Sequence, residues 1–132
     1  MNIRITWEDN NILRYDFPEI WSWDELFKAQ IYAQSLINQS TDKPVGVILN
    51  LPHNTVVPPQ AVGSTHQILE RLHTLVDVIV VVGGNTIVSA LVNVVNRTHW
   101  REKKRSIYMN ETLDEARLFI AQKLNTNANN GS

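Results

Sequence analysis

The fold is decided by two apolar segments, VGVILNL at residues 45–51 and VDVIVVVGG at residues 76–84. Both are rich in β-branched residues and nearly free of polar positions, which is typical of strands that are covered on both faces. Each is followed by a loop and then by a segment with helical periodicity. Strands that alternate with helices require right-handed crossover connections, so these segments predict a largely parallel sheet.

A hairpin is predicted ahead of these units. Ile3, Ile5 and Trp7 alternate with polar residues, which indicates a half-exposed strand. Residues 8–11 are a polar turn, and residues 12–17 resume as a second strand that ends before a proline. The two strands together predict an N-terminal antiparallel pair.

Four helices complete the predicted order. Capping boxes open two of them, Ser22 with Glu25 and Thr112 with Glu115, and Asn85 or Thr86 can cap another. The predicted order is β-β-α-β-α-β-α-β-α, a single α/β domain over residues 1–124 with a mixed, mostly parallel sheet. Residues 125–132 have nothing to bury and are expected to be disordered. The helices are predicted at about residues 22–39, 60–75, 85–98 and 112–124, and the last strand at residues 106–109.

Composition excludes several classes of protein. The chain has 132 residues, with 13 acidic and 12 basic side chains, and its net charge is −1. A balance this even offers no general attraction to nucleic acid or to an anionic membrane. The chain has no cysteine, so disulfides, thiolate metal sites and cysteine nucleophiles are excluded. We therefore expect a soluble cytoplasmic domain that inserts into no membrane and binds no nucleic acid.

A ligand site is predicted at the carboxyl edge of the parallel strands, where such sites usually lie. The loops at residues 52–59 and 83–86 meet at this edge, and residues 110–111 follow the last strand there. A Gly-Gly-Asn-Thr sequence between a strand and a helix can present backbone N–H groups to a small anionic or amphipathic ligand. The same sequence is also typical of a tight turn followed by a helix cap. The predicted ligand-binding residues are His53, Asn54, Thr55, Gly84, Asn85 and Thr86.

No catalytic or metal-binding motif stands out. His66 and His73 share a helix face, but two ligands do not make a metal site. Ser64, between Gly63 and Thr65, lacks the G-x-S-x-G pattern of a nucleophile elbow. Adjacent carboxylates occur only in turns and caps. The sequence therefore predicts no catalytic residue, no metal and no cofactor.

The helix after Gly84 carries more apolar surface than one sheet needs to cover, since only a narrow polar stripe remains on it. Three alternatives account for the excess: cover by neighbouring helices, a partner or homodimer surface, or the wall of an apolar pocket. Residues 97–105 follow, with five basic side chains. They suit phosphate, nucleic acid or an acidic partner, or else a solvated helix end. The predicted interaction residues are Val88, Val92, Val95, Trp100 and Arg101.

The order of elements resembles the STAS-like fold, which includes bacterial anti-sigma-factor antagonists and the cytoplasmic domains of sulphate transporters. The resemblance covers about residues 2–124, and VGVILNL followed by a loop and a helix is its best local match. In that family the strand usually ends in Asp, and an Asp-Ser or Ser-Ser pair then opens the helix. The serine is the phosphorylation switch of the antagonists.

This chain departs from that motif. The strand ends in Asn50, and the positions nearest to the switch serine are Pro58 and Pro59, while Ser64 and Thr65 lie further on. The sequence is thus similar to a divergent member without the phosphoacceptor. The resemblance implies a non-enzymatic regulatory or protein-interaction module with a protein partner or a second copy of itself, and ligand binding at the strand-end edge is the alternative.

Overall fold

The computed structural model describes residues 2–98 and 106–130, with side chains up to residue 126. The predicted α/β class and element order are confirmed in these residues. The strands are β1 (Arg4–Glu8), β2 (Ile12–Asp16), β3 (Val45–Leu51), β4 (Val76–Gly83) and β5 (Ile107–Asn110). The helices are α1 (Trp23–Ser40), α2 (Ala61–Glu70), α3 (Thr86–Thr98) and α4 (Leu113–Asn130).

Two predicted boundaries differ from the structure. Helix α2 ends at Glu70, about one turn early, because the amide of Arg71 is shared among carbonyls of the last turn and the chain then bends into β4. Helix α4 continues to Asn130, whereas disorder was expected from Asn125. Once a helix is nucleated, each added residue gains a backbone hydrogen bond without having to bury a side chain.

The five strands follow one another in chain order across the sheet. Strands β1 and β2 are antiparallel, with Ile5 opposite Tyr15, and the other neighbouring pairs are parallel. Because parallel crossovers are right-handed, sequential order places α1, α2 and α3 on the same face of the sheet. Helix α4 follows the last strand and packs on the opposite face, mainly over β3, β4 and β5.

Both faces of the central strands are therefore buried. Leu13 and Val47 point to the side of α1, α2 and α3, while Ile48 and Val80 point to α4. Successive side chains of a strand alternate between the two faces, so covering both of them requires apolar residues at every position. This requirement explains the apolar runs from which the fold was predicted, in which Asn50 and Asp77 are the polar residues. None of the described helices is long and apolar enough to cross a lipid bilayer.

Two glycines provide a matched test of this packing. A Cβ added at Gly46 in β3 would lie 2.2 Å from Cγ2 of Ile120 in α4, whereas a Cβ added at Gly63 in α2 would have no neighbour within 4 Å. We expect Gly46→Ala to lower the free energy of unfolding by about 1–3 kcal/mol through overpacking. Gly63→Ala should raise it by about 0.5–1 kcal/mol through helix propensity.

Urea denaturation followed by circular dichroism measures both changes. Equal effects of the two substitutions would contradict the close packing of α4 on β3.

Candidate functional site

The two predicted loops do meet at the carboxyl edge of the strands. Nδ1 of His53 lies 3.1 Å from the carbonyl oxygen of Gly84. The Nδ2 amide of Asn85 donates to the carbonyl oxygens of His53 and Thr55, at 3.0 and 3.1 Å. The structure thus brings His53, Thr55, Gly84 and Asn85 together, while Asn54 and Thr86 are exposed beside them.

Asn85 also caps α3, as the sequence predicted. Its Oδ1 accepts from the amides of Ile87 and Val88, at 3.1 and 3.3 Å, and its carbonyl accepts from Ser89. Thr86 is the first residue of the helix. Two amides that would otherwise face a bound anion are therefore satisfied by the chain itself, so the turn-and-cap alternative describes this segment better than an anion site does.

Two further polar groups of the edge, the Thr55 hydroxyl and the Gly84 amide, are also engaged within the chain. Thr55 is buried, and its hydroxyl accepts from Nε1 of Trp21 at 3.0 Å. The amide of Gly84 donates to the carbonyl of Leu51, and both Gly83 and Gly84 have φ near +78°. A Cβ at Gly83 would lie 2.2 Å from the Leu51 oxygen. The glycines are thus required by a close backbone approach.

Three of the predicted interaction residues are not at the surface. Val88, Val92 and Val95 are only 4%, 6% and 0% exposed, because α3 is covered by α2 and the sheet. The prediction that they form a partner surface is wrong. Two of the three alternatives apply to these valines instead. Neighbouring elements cover them, and they form part of the wall of an apolar pocket. Trp100 and Arg101, like the rest of residues 99–105, lie outside the described residues.

The exposed apolar side chains at this edge are ones that sequence reasoning missed. Ile20, Val56 and Ile87 are 72%, 55% and 65% exposed, and we call them the strand-end patch. A parallel β-bridge joins Ile20 to Val56. Ile87 is fixed to the same loop through Asn85, which binds the neighbouring Thr55. Two of the three lie in loops, where no periodicity signals exposure.

A crevice opens between the ends of β4 and β5, because the chain leaves these strands toward opposite faces. It is lined by the turn glycines and by Asn110, Glu111 and Glu115. Oδ1 of Asn110 is buried there and accepts no hydrogen bond from a described residue. This oxygen and the carboxylates of Glu111 and Glu115 are acceptors, so the crevice suits a hydrogen-bond donor better than an anion.

A cluster of charged side chains lies at the other end of the sheet. Glu8 accepts from Arg117 in α4, at 2.8 and 2.9 Å, and also from Arg14. These hydrogen bonds lower the pKa of Glu8, and the hydrogen bond from Arg117 has the largest effect. The carboxylates in turn raise the pKa of the Arg14 and Arg117 guanidinium groups. Arg14 also binds Asp16, at 2.9 Å. Complete pairing of this kind is typical of a structural tie between the hairpin and α4.

Comparisons with known proteins identify no relative. Neither the protein-family models, nor the curated proteins, nor the solved structures contain a match to the chain. Within residues 2–98 and 106–130, no three His, Cys, Asp or Glu side chains are arranged to hold a metal ion. The resemblance to STAS-like domains therefore depends on the order of the elements and on the local match at VGVILNL.

The role of Asn85 as a joint between the loop and α3 can be tested by substitution. Asn85→Ala removes the helix cap and both hydrogen bonds to the loop, so we expect the free energy of unfolding to fall by about 1–3 kcal/mol. Asn93→Ala, at an exposed position of the same helix, should change it by less than about 0.5 kcal/mol. Urea denaturation gives the free energy of unfolding of both variants. Similar losses in Asn85→Ala and Asn93→Ala would show that Asn85 does not connect the loop to α3.

The charged cluster predicts a pH dependence of stability. The folded-state pKa of Glu8 lies below its unfolded value of about 4.3, so its contribution is present above that value and is lost as the pH falls through the folded pKa. We expect Glu8→Gln to lower the free energy of unfolding at pH 7 by about 1 kcal/mol. The difference from the unsubstituted protein should shrink at about pH 3.

Chemical denaturation at the two pH values makes this comparison, with Glu19→Gln at an exposed position as the control. A difference between the parent protein and Glu8→Gln that is the same at both pH values would contradict the assignment.

Proposed function

We propose that this protein is a non-enzymatic, cytoplasmic regulatory module that acts by binding another protein, in the manner of the STAS-like domains that it resembles. The observation that carries the proposal is the strand-end patch. Three branched aliphatic side chains from three separate segments are more than half exposed at one end of the molecule. Exposed apolar side chains that are grouped in this way are typical of interaction sites.

The rigidity of the patch supports this role. The bridge between Ile20 and Val56 and the hydrogen bonds of Asn85 fix the backbone of all three segments in the free protein. A surface that is ordered before binding loses little conformational entropy on association. The patch therefore offers a preformed contact to a protein partner or to a second copy of the chain.

The engagement of the polar groups favours binding over catalysis. A catalytic site needs polar side chains that are free to contact the reacting groups of a substrate. At this edge Thr55 and Asn85 are occupied by hydrogen bonds within the chain. The carboxylate with a lowered pKa, Glu8, lies at the far end of the sheet and is paired with two arginines.

A second candidate function is the binding of a small molecule in the crevice between β4 and β5. The position of the crevice favours ligand binding. Ligands of open α/β sheets bind where the connections that follow two neighbouring strands run to opposite faces of the sheet, as they do after β4 and β5. The acceptors of Asn110, Glu111 and Glu115 indicate a ligand with amine or hydroxyl groups. The sequence had instead suggested an anionic or amphipathic ligand.

The patch is tested by a charge substitution with a matched control. Ile87→Asp places a carboxylate in the patch, and Leu118→Asp places one on α4, at a side chain of nearly equal exposure (61% against 65%) on the opposite face. We expect association to be lost in Ile87→Asp and kept in Leu118→Asp, with both variants folded. Desolvating an unpaired carboxylate in an interface is costly.

Sedimentation measures self-association, and quantitative affinity purification compares the retained proteins between the two variants. A protein that is retained by the parent and by Leu118→Asp but lost from Ile87→Asp supports the proposal. Identical self-association and identical retained proteins in both variants would overturn it.

A further inference from the structure

The layer between the sheet and its three-helix face is not completely filled. A cavity of about 100 Å³ lies there, and its wall reaches Leu51 and Val57 near the strand-end edge. Tyr15, Val47 and Val81 line it from the sheet, and Leu26, Leu69 and Val92 line it from the three helices. Protein interiors are otherwise packed to the density of organic crystals. An engineered apolar cavity of about 150 Å³ binds benzene, so one aromatic ring fits this smaller cavity only if a wall moves outward.

The wall of the cavity is almost entirely apolar and contains no charged side chain. Two buried polar side chains, Tyr15 and Gln30, are part of it. The Nε2 amide of Gln30 donates to the carbonyl of Ile68, at 2.7 Å. The Gln30 Oε1 and the Tyr15 hydroxyl are the other polar groups that these two side chains bring to the wall. A ligand with a hydrogen-bonding group can pair with either of them and then gains affinity over a purely apolar molecule.

Helix α2 is the wall that can open most easily. Leu69 is its one fully buried residue among those described, and the helix packs mainly against α1 and α3. Its N-cap residue, Gln60, has φ of 64° and makes no side-chain cap hydrogen bond. Segments with few buried side chains and poor caps open at low free-energy cost. A small molecule can therefore enter by displacement of α2, without unfolding of the sheet.

We propose that this cavity is a binding site for a small neutral molecule with an apolar body the size of one aromatic ring and a hydrogen-bonding group. Phenol is the simplest molecule of this class. The ring occupies the apolar space, and the hydroxyl pairs with Tyr15 or Gln30. The absence of a charged side chain from the wall excludes an anion of the same size, since burying an unpaired charge is far more costly than burying a hydroxyl.

Titration with phenol, benzene and benzoate tests the proposal. Trp21 and Trp23 also line the cavity, so their fluorescence reports occupancy, and methyl NMR signals of Val81 and Val92 locate the ligand. We expect phenol to shift these signals and to raise the melting temperature. Benzene should bind more weakly, and benzoate should leave the signals unchanged. Unshifted cavity signals with phenol, or equal binding of benzoate, would overturn the proposal.

Filling the cavity should abolish binding. Val92→Phe and, as a milder variant, Val81→Leu extend side chains into the space, and we expect each that folds to bind phenol about tenfold more weakly or worse. Leu118→Phe adds a ring on the opposite face and should bind like the parent protein. Unchanged phenol affinity in a folded filling variant would overturn the site.

The hydrogen bond between the ligand and the cavity wall is tested by comparing the affinities of phenol and benzene. Tyr15→Phe and Gln30→Met each remove the polar group of one of these two side chains, and one of the substitutions should abolish the preference for phenol over benzene while benzene still binds. A preference that survives both substitutions would overturn the assignment of these two groups. The strand-end patch is untouched by all of these variants, so failure here and failure of the proposed protein interaction are distinguishable.

Discussion

The whole architecture depends on one constraint, which is the right-handedness of the parallel crossovers combined with strands that lie in chain order. Together they force three helices onto one face of the sheet and leave the other face to α4. The crowding of three helices on one face buries the valines of α3. The same crowding leaves α2 in contact mainly with α1 and α3. The cavity of about 100 Å³ lies between these helices and the sheet.

The sequence predicted the class and the order of elements because each depends on local signals. The β-branched runs at residues 45–51 and 76–83 predicted two-sided burial, and their side chains do alternate between the two cores. The cap at Ser22 accepts from the amide of Glu25, as the capping box predicted. The cap at Thr112 likewise accepts from Glu115. Interactions within a few residues of one another can be read without knowledge of the fold.

The functional surface was harder to predict because it depends on contacts between distant segments. The apolar excess of α3 predicted an interface but did not indicate which neighbours cover it, and Val92 is buried by helices whose positions follow from the crossovers. Ile20 and Val56 lie 36 positions apart in the chain and meet through a single bridge in the loops. The meeting of His53 with residues 84 and 85 was predicted, because loops that follow parallel strands share the carboxyl edge of the sheet. Their mutual hydrogen bonds, which leave little free for a ligand, were not predictable from the pattern.

The order of the strands also bears on how the chain folds during synthesis. Every strand pairs with the one made just before it, so the sheet can grow from the hairpin outward as the chain leaves the ribosome, with few contacts that wait for distant sequence. The face of the sheet that α4 covers is the exception, because α4 is the last element to be synthesised. Until α4 emerges, the apolar row that includes Ile48 and Val80 has no partner. A nascent chain at that stage presents an open apolar sheet, and a chain shortened before α4 would keep that surface and be prone to aggregate.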